Sequence, residues 1–153
     1  MQLWKSLICA GNTQYSQFQF DNALNFYQQS LEQAIAIFDI QQQIDFDAAI
    51  SAILISHCNL ADCYLELGQA QEGCNQYQRA FAFLQQLQLN KLDSHYQQAL
   101  FKANSKLHQQ WLDFLNRYDT NLAKVSFLKS KISDLFARFS NAHILSNFQL
   151  KTQ

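Results

Sequence analysis

Apolar residues recur along this chain at three- and four-residue steps, the spacing that lays one stripe along a helix. A first helix is expected over about residues 2–17, with Leu3, Leu7, Ala10 and Gln14 on one stripe. Asp21 is placed to cap a second, which carries Ala23, Leu24, Tyr27, Leu31, Ala34, Ile35 and Phe38 at helical spacing. The pattern breaks between Gln42 and Asp47. Asp45 or Asp47 then caps a third helix bearing Ile50, Ile53, Leu54, His57, Leu60, Ala61 and Tyr64, and Gly68 stops it just beyond Leu67. A fourth helix is expected over about 71–87. Ser94-His95-Tyr96-Gln97 fits a capping box for a fifth that runs to about Arg117. A sixth, from near Thr120, carries Val125, Leu128, Ile132, Leu135, Phe136 and Phe139, and the tail from Asn141 has room for one further turn. Proline is absent and glycine occurs three times, so nothing interrupts such helices for long. The chain reads as all-α.

Two stretches repeat one pattern without a gap. Gly11–Leu31 aligns with Ala61–Phe81, so that Gly11 falls on Ala61, Phe20 on Ala70, Ala23 on Gly73, Tyr27 on Tyr77 and Ser30 on Ala80. Small residues recur where two helices must cross closely, and an aromatic recurs where the second helix needs a large anchor. A repeated helical hairpin usually builds a groove for a partner and not a site for bond-making.

Gly11, Asn12, Tyr15, Phe20, Ala23, Tyr27 and Ser30 in one copy, and Ala61, Tyr64, Gly68, Gly73, Tyr77 and Ala80 in the other, resemble tetratricopeptide repeats (TPR). The resemblance covers about 80 residues of 153. It implies a TPR-like right-handed solenoid of about three antiparallel hairpins, 6–7 helices in all: repeat one over about 4–40, repeat two over about 47–88, and a divergent third hairpin or cap over about 93–140. The chain departs from the family in two ways. Its copies recur every 50 residues where the family's recur about every 34, and neither copy closes on proline. Split between two antiparallel helices, the extra length would extend helices two and three by roughly 12 Å each, as a projecting hairpin. The third copy offers Leu107, Trp111 and Ala123, with no small residue in the right place before Trp111. The chain also looks similar to small TPR-like proteins of proteobacteria.

In that family the inner face of the first helix of each hairpin meets the ligand. Carried over, this face shows Lys5, Ile8, Asn12, Tyr15 and Ser16 from the first helix, and Cys58, Asn59, Asp62, Leu65 and Glu66 from the third. Some TPR grooves clamp a peptide's terminal carboxylate with Asn and Lys or Arg. Asn12 and Asn59 stand at the matching Asn positions, and Lys102 with Lys106 have the i, i+4 spacing of the matching basic pair; such donors converging on one anion would make charge-assisted hydrogen bonds. Against a clamp, Ile8 stands where a Lys belongs, and Asp62 and Glu66 would repel a carboxylate.

Composition narrows the function classes. One domain is expected from 153 residues. Charged residues make up 15%, and Gln and Asn supply much of the polar surface, which tolerates association. Charge is uneven: residues 1–90 carry two basic and eight acidic side chains, residues 91–153 nine basic and four acidic. Lys124, Lys131 and Arg138 share a face of the sixth helix, yet no aromatics interleave them, which argues against nucleic acid. No apolar run is long enough for a membrane span or a signal peptide, so a cytoplasmic protein with reduced thiols is expected. Cys9, Cys58, Cys63 and Cys74 form no C-x-x-C pair, and Cys58 and Cys63 lie about 140° apart on a helix, so they read as small apolar fillers and not metal ligands. His57, His95, His108 and His143 are scattered, and no catalytic fingerprint occurs, so neither an enzyme nor a cofactor is expected. The leading expectation is an adaptor that binds a peptide or partner protein in the groove. The alternatives are a homodimer through Ile37, Phe38, Ile40, Ile44 and Phe46 on the long hairpin, and a binder of nucleic acid or an anion through the basic half.

Overall fold

Helical periodicity with few breakers gives an all-α chain. A computed structural model describes residues 1–89, 94–118, 133, 134 and 137. Among these are α1 (Gln2–Ser16), α2 (Phe20–Ala36), α3 (Phe38–Ile44), α4 (Phe46–Glu66), α5 (Ala70–Leu89) and α6 (Ser94–Arg117), and no strand. The expected sixth helix, with its apolar stripe, Lys124, Lys131 and Arg138, lies outside the described residues, as does the tail from Asn141. The chain divides into two compact units, Met1–Ala80 and Phe81–Gln153, with the boundary inside α5. This boundary also separates the acidic part of the sequence from the basic part, since residues 81–90 carry no charge.

In the first unit α1 and α2 form an antiparallel hairpin. Gly11 lies where a Cβ would come within 2.6 Å of Tyr27 Cδ1, so only glycine lets the Tyr27 ring approach α1 this closely. Tyr27 OH then donates to Asn12 Oδ1 at 2.7 Å, and Asn22 Nδ2 donates to Gln14 Oε1 at 3.3 Å. Ile8, Ala23, Tyr27, Leu60 and Cys63 form a buried cluster, flanked by Trp4, Tyr15, Leu24, Leu31, Ile55 and Tyr64. At the small and anchoring positions both copies are buried: Gly11 and Ala61, Ala23 and Gly73, Tyr27 and Tyr77, Ser30 and Ala80.

A polar node ties three helices together inside this apolar surrounding. Trp4 Nε1 of α1 donates to Ser56 Oγ of α4 at 3.0 Å, and Ser56 Oγ lies 3.0 Å from Ser30 Oγ of α2. Ser56 also bonds the Ala52 carbonyl and Ser30 the Tyr27 carbonyl, so these buried hydroxyls have partners. Trp4 pairs with Ser56 and Tyr15 with Glu66, at separations of 52 and 51 residues, so α1 and α4 run parallel.

Two capping expectations meet different outcomes. Asp45 caps α4, accepting from Ala48 N at 2.9 Å. Asp21 does not cap α2: the N-cap lies two residues earlier, at Gln19, and Asp21 sits in the first turn, where a carboxylate favours the helix dipole. The projecting pair of lengthened helices is corrected as well. Ile37 ends α2, seven residues fold separately as α3, and extended Asp45 (φ −152, ψ 96) turns the chain into α4. α3 packs on α4 and leaves Ile40 and Ile44 outward. α4 is long and apolar enough by composition to cross a membrane, but 61% of that stretch is buried inside the protein, as in a central core helix.

The turns after α1 and α4 are copies. Phe18 N and Gln19 N bond Tyr15 O and Gln14 O at 3.0 and 2.9 Å, while Gly68 N and Gln69 N bond Leu65 O and Tyr64 O at 3.0 and 2.7 Å. Both are Schellman caps, which need a left-handed residue. Gly68 supplies it with φ 73. Phe18 supplies it with φ 60, at a steric cost of roughly 1 kcal/mol. The second unit buries Phe81, Leu84, Leu100, Leu107, Trp111 and Phe114, with Trp111 stacked on Phe114 at 5.8 Å.

His57 is buried on α4, with Nδ1 2.8 Å from Gln76 Oε1 of α5. Burial lowers its pKa below 6.5, the Gln76 bond opposes this, and Arg79 adds to it. The unfolded chain therefore takes up a proton that the folded chain resists. Stability is full above about pH 6.5 and falls with acidification, by at most about 1.4 kcal/mol per pH unit. His57→Gln is expected to flatten urea stability between about pH 6.5 and 5; His108, also lowered by burial, acts in the same direction in both chains. The turns predict opposite signs: Phe18→Gly stabilises by about 1 kcal/mol and Gly68→Ala destabilises by about as much, read as shifts in urea midpoint. Gly11→Ala should cost roughly 1–3 kcal/mol by overpacking against Tyr27.

Candidate functional site

The parallel helices α1 and α4 carry most of the residues expected to meet a partner. Lys5, Asn12 and Glu66 are exposed, and Tyr15, Asn59, Asp62 and Leu65 are half-buried. Each is positioned by what lies beneath it. Asn12 is one turn beyond Ile8 and accepts the Tyr27 hydroxyl through Oδ1, which leaves its Nδ2 as a donor. Burial is the main reason that hydroxyl's pKa rises well above the ordinary tyrosine value, so it stays a donor. Tyr15 OH donates to Glu66 Oε1 at 3.2 Å, linking the C-terminal ends of the two helices.

Two expected positions are corrected. Ile8 belongs to the buried cluster with Ala23, Tyr27, Leu60 and Cys63 and so does not lie on the surface. Cys58, its counterpart 50 residues on, is buried too. The same helical position therefore turns inward in both copies, one turn before Asn12 and Asp62, which lie further out. Lys102 and Lys106 are exposed one turn apart on α6, in the second unit. Taken by itself, the first unit holds Asn12 and Asn59 of the expected clamp and no two cations one turn apart.

The four cysteines are free thiols. Burial pushes Cys63 up to about 12 and Cys74 up to about 11, so both stay protonated and inert as small core fillers. Cys58 is buried as well, whereas Cys9 is exposed on α1. Among the described residues no group of three His, Cys, Asp or Glu side chains could hold a metal ion.

One surface was not anticipated. At the turn between α1 and α2, Phe18, Gln19, Phe20, Asp21 and Asn22 line a cleft of about 260 Å³ together with Leu67 from the end of α4. Phe20 meets Tyr15 edge-on at 5.2 Å and Phe18 at 6.1 Å, so three aromatic rings run in series beside it. The sequence did hold a signal for it: the ungapped alignment sets Phe18 against Gly68, a large aromatic where the other copy has its helix stop.

No curated protein and no solved structure matches the chain. A family match spans residues 2–143 and so takes in both copies of the repeat and α1 through α6. The chain belongs to the family described as "Protein of unknown function (DUF2753)".

Proposed function

We propose that the protein is a TPR-like interaction module, an adaptor that holds a peptide or partner protein along the face shared by α1 and α4. One observation supports this most: α1 and α4 pair in parallel at separations of 51 and 52 residues, close to the 50-residue spacing of the two copies. Equivalent helices of a tandem repeat stand side by side in this way, and the surface they share is the one such repeats offer to partners. On that surface Asn12 and Asn59 present amides, and Lys5, Asp62 and Glu66 present charges. In this reading the protein is not an enzyme, needs no cofactor and works in the cytoplasm, where its four free thiols stay reduced.

A second reading, self-association, draws on the exposed side chains of Ile35, Ile40 and Ile44 at the end of α2 and on α3, the latter two 70% and 74% exposed. Apolar residues that stay outward over adjacent turns can pair with another copy.

A pull-down from native cytoplasm, with Asn12→Tyr and Asn59→Tyr combined as the control, separates the two. The adaptor reading expects specific partners on the wild-type chain and none on the variant, with far-UV circular dichroism unchanged. Retention of the same partners by a folded variant sinks it, and Asn12→Tyr alone serves if the double change perturbs folding. Self-association expects light scattering to report a dimer that Ile40→Lys with Ile44→Lys returns to monomer. A monomer at high concentration counts against it.

A further inference from the structure

We draw no further inference here: the strongest candidate, the exposed apolar patch of Ile35, Ile40 and Ile44 where α2 gives way to α3, belongs to the self-association reading already described, and nothing in the structure shows what covers it.

Discussion

The first unit depends on the contact of Tyr27 with the bare backbone of Gly11. That contact brings α1 and α2 close enough for the Tyr27 hydroxyl to reach Asn12, and it places the ring in the cluster where Leu60 and Cys63 of α4 meet it. Any side chain at residue 11 would part the two helices, and the Trp4–Ser56–Ser30 node joining all three elements would lose its geometry with them. The small residues of the repeat are thus a distance constraint, and the polar groups near them are satisfied only at that distance.

The two copies bury small residues at the aligned positions, in a different order. In the first, glycine is on the leading helix and alanine on the following one; in the second, Ala61 leads and Gly73 follows. Both pairs are buried, and both lead into caps with the same hydrogen bonds. At the capping residue the copies diverge in character, one ending on an unobstructed glycine and the other on an exposed aromatic. The architecture is therefore repeated while the surface it displays is not.

Much of the fold is legible in the residues because local and long-range preferences agree. Asp45 caps, Gly68 stops and Tyr27 anchors for reasons visible within a few positions of each. The residues after Ala36 mislead because Ile37, Phe38, Ile40 and Ile44 continue an apolar pattern without glycine or proline, so the break at Ile37 leaves no local mark. Ile8 and Cys58 mislead for another reason: the buried and the outward stripe of a helix lie one helical position apart, and spacing alone does not say which stripe points where. The cleft is harder still to read, since it joins the first turn to Leu67 across more than forty residues.

The short helix α3 has a consequence for how such a chain can change over time. Register between the copies is held by α1, α2 and α4, and the stretch between Ile37 and Asp45 is bounded by a bend at one end and an extended residue at the other. It behaves as a spacer whose length carries no information about the pairing around it. Insertions and deletions there would leave the hairpins aligned, so this interval is where related chains can differ most in length while remaining the same protein in every other respect.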